Sequence, residues 1–295
     1  MNMIEIHHVT KDYGNNKGIF DVNLSVKEGE VFGFLGPNGA GKTTTIRNLM
    51  GFIRPDHGSC SIMRMDCFKD APSIQEKLGY LAGEIAFLED MSGKKLLDFI
   101  ADMKGIKDRT RIKELMERFE LDPRGKVKKM SKGMKQKVGI ICAFMGNPDI
   151  LILDEPTSGL DPLMQNRFIE LILEEKKKGK TIFMSSHIFE EIEKTCDRAA
   201  IIREGRIIAI ENIEELKNKK SKKYILTFPN SEIANTFTLQ GFKILKRKGS
   251  EVMVSVGKNV SDFIKQIAKY PIEDMNIQTQ TLEEIFLHFY GGGKA

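Results

Sequence analysis

Val31-Phe32-Gly33-Phe34-Leu35 running into Gly36-Pro37-Asn38-Gly39-Ala40-Gly41-Lys42-Thr43 is the stretch that decides the fold. Five apolar residues in a row describe a strand buried on both faces, because a strand with one face in water would alternate. The loop after it fills the pattern G-x-x-x-x-G-K-[ST] completely, and the residues from about Lys42 to Met50 read as a helix. Strand, loop and helix in this order make a phosphate cradle. Glycines let successive backbone N–H groups turn inward and the helix N-terminus adds positive potential. The Lys42 ammonium reaches the outer phosphate oxygens, and the Thr43 hydroxyl is placed to ligate Mg²⁺.

Upstream, Ile4, Ile6, Phe20, Val22, Leu24 and Val26 alternate with polar residues around Asp12-Tyr13-Gly14-Asn15-Asn16, the pattern of antiparallel strands joined by a turn. Downstream, residues 92–129 are helical and charged, with punctuation at Gly105 and Asp122-Pro123. Strand character returns at Ile150–Leu153, Thr181–Met184 and Ala199–Ile202 with helices between, so this part is predicted to be α/β with a parallel core. The first of these strands ends in Asp154-Glu155. At the carboxyl edge of the sheet, Asp154 is placed to hold Mg²⁺ directly or through water, and Glu155 to polarise an attacking water.

The 295 residues suit about two domains, and 41% hydrophobic content supports packed cores, which excludes a disordered chain or a small disulfide scaffold. Net charge is +5, unevenly placed: residues 216–295 carry 13 basic and 7 acidic side chains, so the rest of the chain sits at −1. Such a balance does not call for a nucleic-acid partner. Cys60, Cys67, Cys142 and Cys196 form no C-x-x-C pair and have no His at zinc spacing, so reduced, packed thiols are expected. No apolar run approaches the ~18 residues of a membrane span.

Lys217, Lys219, Lys220, Lys222 and Lys223 mark an expected domain boundary, with 218–223 as a basic linker. Beyond it, Tyr224–Phe228, Phe242–Arg247, Val252–Val256 and Asn276–Thr279 read as strands, and Asp262–Lys269 and Leu282–Tyr290 as helices. Residues 224–295 are thus predicted to be a small α+β accessory or dimerisation domain. The last helix opens with the capping box Thr281-Leu282-Glu283-Glu284 and sets Leu282, Ile285, Phe286 and Phe289 on one face.

Further motifs follow in order: Met130-Ser131-Lys132-Gly133-Met134-Lys135-Gln136, Asp154-Glu155-Pro156-Thr157-Ser158-Gly159-Leu160-Asp161 and Ser185-Ser186-His187. Over residues 1–215 the chain resembles the nucleotide-binding subunit of an ATP-binding cassette (ABC) transporter. Met130–Gln136 is similar to the family signature, Ser158–Asp161 to its D-loop and Ser185–His187 to its switch-histidine motif. The resemblance implies the P-loop ABC ATPase fold: a RecA-like core, an antiparallel β subdomain and a helical subdomain at about 84–145, all within an ATPase domain of residues 1–217. It implies ATP and Mg²⁺ as cofactors. Tyr13 would stack on adenine and Gly36, Pro37, Asn38, Gly39, Ala40, Gly41, Lys42, Thr43 and Thr44 would cradle the phosphates. Ser131, Gly133, Met134 and Asp161 would meet the nucleotide of a second ATPase subunit in a head-to-tail dimer. Glu155 and His187 would be catalytic.

The chain departs from the family at three places. Gly83, in Gly79-Tyr80-Leu81-Ala82-Gly83-Glu84, stands where a Gln normally faces the metal, so either Glu84 or water takes that place; Lys132 replaces a Gly and Met134 a Gln. A single phosphate loop argues against two-cassette translation ATPases. Only 88 positions from Thr43 to Ser131, without sustained heptads, argue against chromosome ATPases. Gly79–Glu84, Ser131–Gln136 and Thr281–Phe286 resemble bacterial exporter subunits that serve small six-helix permeases and expel drugs, lipids or amphipathic antimicrobial peptides. Such a subunit would sit on the cytoplasmic face of the cell membrane, dimerise with itself or a relative, and receive the permease on Glu84–Phe99. The basic C-terminal region would then be able to contact anionic lipid.

Overall fold

In the computed structural model, which describes residues 1–87, 90–219, 222–257 and 259–279, the alternating residues at the start of the chain form β1 (Asn2–Asp12) and β2 (Gly18–Lys27). Their antiparallel register sets Ile4 against Val26 and Ile6 against Leu24, so the apolar side chains share one face. β3 (Val31–Leu35) is buried at all five residues and leaves this sheet, while β4 (His57–Ile62) and β5 (Met65–Asp66) complete it in the order β2-β1-β4-β5.

A six-stranded sheet is built around β3, in the order β10-β9-β3-β8-β7-β6. Its members are β6 (Leu78–Leu81), β7 (Ile150–Asp154), β8 (Thr181–Ser186), β9 (Arg198–Arg203) and β10 (Arg206–Asn212). The pairings through β9, β3, β8, β7 and β6 are parallel and only β10 runs against its neighbour. α1 (Lys42–Leu49) lies where the two sheets meet: Ile46 and Leu49 are wholly buried in one cluster with Ile4 and Val22 from the first sheet and Phe34 and Ile152 from the second. Burying one such side chain contributes roughly 1.5–3 kcal/mol, so this cluster fixes the helix that carries the phosphate loop.

α2 (Ala71–Lys77) precedes β6, α3 (Gly93–Met103) and α4 (Thr110–Arg118) fall in the helical, charged stretch 92–129, and α5 (Lys132–Phe144) carries most of the signature residues. α6 (Pro162–Lys177) and α7 (Phe189–Thr195) are the crossovers after β7 and β8. β6 was not legible as a strand. It is four residues long and contains Gly79, yet it pairs in parallel with β7, residue for residue from Leu78 opposite Ile150 to Leu81 opposite Leu153.

The chain divides into two compact units, Met1–Ile213 and Glu214–Ala295. The basic stretch expected as a linker at 218–223 is instead shared between the end of α8 (Ile213–Lys219) and the start of β11 (Lys222–Thr227), and residues 220–221 lie outside the described residues. The second unit is an antiparallel sheet in the order β12-β13-β11-β14, formed by β11 with β12 (Lys243–Lys248), β13 (Glu251–Val256) and β14 (Asp274–Thr279). α9 (Ser231–Thr236) and α10 (Val260–Ile267) accompany it; Ala234 and Phe263 from these helices share a core with Tyr224, Leu226, Val252 and Val254. α9 is too short to have shown a period in the sequence. The predicted helix Leu282–Tyr290 and its capping box lie outside the described residues.

Candidate active site

Parallel pairing assembles the site. Leu35 lies opposite Ser186 and Asp154 opposite Ser185, so β3, β7 and β8 end side by side and release their loops on one edge of the sheet. The loop after β3 enters α1 through Gly41 at φ 109°, a conformation that side chains rarely adopt, and an added Cβ would sit 2.7 Å from Ile19. Lys42, only 5% exposed, donates from Nζ to the carbonyls of Gly36 (2.6 Å) and Pro37 (3.2 Å) and so ties the end of the loop to its beginning. The same ammonium stands 2.9 Å from Glu155 Oε1, at ion-pair distance but outside hydrogen-bond alignment. Ala40 is buried under the loop and its carbonyl accepts from Gly205 N–H at 3.0 Å.

Asp154 is fully buried and accepts from two hydroxyls, Thr43 Oγ1 to Oδ2 at 2.8 Å and Ser185 Oγ to Oδ1 at 2.5 Å. Burial pushes its carboxyl above the usual range, against the pull of these two hydrogen bonds, and the Glu155 charge adds to the rise. Glu155 has φ 47°, a left-handed conformation that costs energy for a glutamate. Its N–H donates to Ser185 Oγ at 3.0 Å, and its Oε2 lies 2.7 Å from His187 Nδ1. Strand ends and hydroxyls together fix Lys42, Thr43, Asp154, Glu155 and His187 as one cluster.

Two cavities open on it. One of about 400 Å³ is lined by Tyr13, Asn38, Gly39, Lys42, Thr43 and Thr44, with the Tyr13 ring 54% exposed. The other, about 470 Å³, is lined by Thr43, Arg47, Glu84, Asp154, Glu155 and His187. Glu84 thus lines the same cavity as Asp154 and Glu155. At Gly83 a Cβ would lie 3.0 Å from Asp154 Oδ2, a tight contact that the carboxylate would have to relieve by a few tenths of an ångström.

Ser131, Gly133, Met134 and Asp161 line neither cavity. Ser131 caps α5, its Oγ accepting from Met134 N–H at 3.2 Å, and Asp161 caps α6, accepting from Met164 N–H at 3.0 Å. The signature is nonetheless joined to the catalytic loop. Gly133 passes so near Gly159 that a Cβ would meet its carbonyl at 2.6 Å, and the Lys132 stem packs over the same glycine. Gln136, 2% exposed, donates to the carbonyls of Pro156 (2.7 Å) and Glu155 (3.3 Å). Gln136 and Ser185 are site residues to which the sequence had assigned no role. Their signal was a polar residue at a buried position, visible only once the faces are known.

The family model for ABC transporters matches residues 19–158. The bacitracin transport ATP-binding protein BcrA of Bacillus licheniformis is 34% identical over 302 positions, covering 99% of this chain and 98% of that protein. The chain belongs to the ABC transporter family. The linearmycin resistance ATP-binding protein LnrL of Bacillus subtilis is 30% identical and covers 98% of each chain. Among solved structures, an ATP-binding subunit of an ABC transporter superposes with a TM-score of 0.66 at 30% identity, over 74% of this chain and 92% of that one. The dimeric cassette MJ0796 superposes at 0.65 with 24% identity, over 72% and 99%, which bears on fold alone. This ABC subunit is an ATPase of the P-loop class, and its mixed sheets with accompanying helices are the cassette fold.

Proposed function

We propose that this chain drives a bacterial exporter, two copies closing head to tail on two ATP molecules beneath a membrane permease. The observation that carries the reading is the convergence of Lys42, Thr43, Asp154, Glu155 and His187 on one sheet edge, with Ser131 and Asp161 turned outside that site. A γ-phosphate arriving in the loop replaces Glu155 as the partner of Lys42. Glu155 Oε1 is then released to accept a proton from the attacking water, while His187 holds Oε2. Ser131 accepts a hydrogen bond within its own helix and keeps its O–H to donate to a phosphate on the other subunit.

Thr43 and Asp154, two oxygen donors 2.8 Å apart with the carboxylate buried, fit Mg²⁺, and Glu84 or water completes the protein side. Among the described residues no three or more His, Cys, Asp or Glu are arranged to hold a metal ion by themselves, and Mg²⁺ commonly keeps several waters and takes its other ligands from substrate phosphates. When bound, Mg²⁺ withdraws charge from the phosphate oxygens. The similarity to proteins of bacitracin transport and linearmycin resistance supports an amphipathic antibiotic as cargo.

Among the described residues no helix is long and apolar enough to cross a membrane, so we assign the crossing to a partner permease. A groove of about 420 Å³ lined by Phe52, Tyr80, Ile85, Phe87 and Ile100 supports the docking site expected near Glu84–Phe99. We keep residues 224–295 as an accessory domain, whose exposed Lys243, Lys246 and Lys248 on β12 support contact with anionic lipid. The test is co-expression with a six-helix permease and measurement of ATPase stimulation by candidate peptides. A purified complex that no amphipathic peptide or lipid stimulates would contradict the exporter reading.

A further inference from the structure

Glu191, in α7, is 4% exposed, and among the described residues no lysine or arginine pairs with it. Its two carboxylate oxygens accept from hydroxyls alone, Oε1 from Thr157 Oγ1 and Oε2 from Ser186 Oγ at 2.8 Å. Burial, with some help from the Glu155 charge, pushes its carboxyl above the usual range. A leucine or methionine would fill a helix turn against the sheet without that desolvation penalty, so the carboxylate is there for the two residues it joins. Thr157 lies two residues after Glu155, and Ser186 immediately precedes His187.

The ends of β7 and β8 are thereby bridged twice. Before the catalytic pair, Ser185 Oγ donates to Asp154 and accepts from Glu155 N–H. Glu191 makes the second bridge, joining Thr157, beyond Glu155, to Ser186, whose Oγ also accepts from Ile188 N–H at 2.9 Å and so shapes the turn bearing His187. Glu155 lies between the two bridges on the β7 side and His187 follows both on the β8 side, with 2.7 Å between them. We propose that Glu191 is a positioning residue for ATP hydrolysis, setting the gap between Glu155 and His187 without touching nucleotide. The proposal rests on the reading of Glu155 as the group that polarises water.

A residue that only fills space would lower stability and ATP affinity together when removed. A positioning residue lowers turnover alone. With the full chain, Glu191→Ala is expected to lower kcat at least about tenfold, on the scale of a displaced acid–base group, with ATP Kd by calorimetry within about twofold. Glu191→Gln supplies one acceptor and one donor to the same hydroxyls and should recover kcat to within about threefold. In a His187→Ala background, Glu191→Ala should cost less than about twofold more, because residues acting as a unit are not additive.

Wild-type kcat in Glu191→Ala, a parallel loss of ATP affinity, or full multiplicative loss on top of His187→Ala overturns the proposal. Should Glu191→Ala fail to fold, Thr157→Val removes one hydroxyl at constant volume. It should reduce kcat at unchanged Kd, and unchanged turnover overturns the proposal equally. Glu155→Gln separates the two readings. An active Glu155→Gln sinks the assignment of Glu155, whereas a dead Glu155→Gln beside a fully active Glu191→Ala sinks the role of Glu191 alone.

Discussion

Ser185→Ala removes one oxygen from the centre of the site, and its cost is calculable. The hydroxyl is wholly buried; it donates to Asp154 Oδ1 at 2.5 Å and accepts from Glu155 N–H at 3.0 Å. Alanine leaves a buried carboxylate oxygen and a backbone donor without that partner, at about 1–3 kcal/mol for each unsatisfied group. Asp154 keeps its bond from Thr43, so a net loss of about 2–4 kcal/mol is expected. At roughly 2–4 °C per kcal/mol for a unit of this size, the melting temperature should fall by about 5–12 °C. The Ser185 bond lowers the Asp154 carboxyl, and burial raises it further than the two hydroxyls pull it back. Removing the bond therefore enlarges a penalty that is absent when the carboxyl is protonated and grows as pH rises through the carboxylate range. Calorimetry of nucleotide-free wild type and variant between pH 5 and 8 provides the measurement. A shift under about 1 °C, or a deficit that shrinks as pH rises, would refute the claim that this hydroxyl holds the two acids.

Lys42→Ala withdraws the only ammonium in the phosphate loop and should abolish ATP binding by calorimetry; retained affinity would remove the loop from the account. Tyr13→Ala, at the mouth of the nucleotide cavity, should weaken ATP binding by about 1 kcal/mol, roughly fivefold, the scale of one aromatic contact. Unchanged Kd would detach Tyr13 from the base. The raised Glu191 carboxyl means that its protonated form is favoured on folding, so its contribution is greatest at low pH and declines as pH rises above the ordinary carboxylate range. Urea titrations should find Glu191→Gln gaining on wild type from pH 4 to pH 7, and a constant difference would show that the burial does not act on this carboxyl.

The first half of the site was legible because its chemistry is written contiguously: Gly36–Thr43 in one loop and Asp154-Glu155 at the end of one apolar strand. What links them is not contiguous. Ser185, Gln136 and Glu191 reach Glu155 or its neighbours across 30, 19 and 34 positions, and a buried polar residue cannot be told from an exposed one until the sheet exists. The long antiparallel strands were visible through alternation, while β6 escaped because four residues with an internal glycine have no usable period. The domain boundary was displaced for a physical reason. A run of lysines suggests solvated linker, but α8 begins at Ile213, whose N–H donates to Asp197 O, and Lys217 and Lys219 fall within α8 while Lys222 and Lys223 fall within β11. Gly83 stands out in the sequence as a departure; its close approach to Asp154, 3.0 Å for an added Cβ, is visible only in the structure.

The central claim is that this half-site becomes catalytic when a second copy supplies Ser131 across the nucleotide. It is tested most directly by light scattering of the Glu155→Gln chain with and without ATP. The expected result is a particle of one chain mass without nucleotide, a particle of twice that mass with ATP, and loss of the larger particle when Ser131→Arg is added. A Glu155→Gln chain that binds ATP yet stays at one chain mass, or a dimer indifferent to Ser131→Arg, would contradict it.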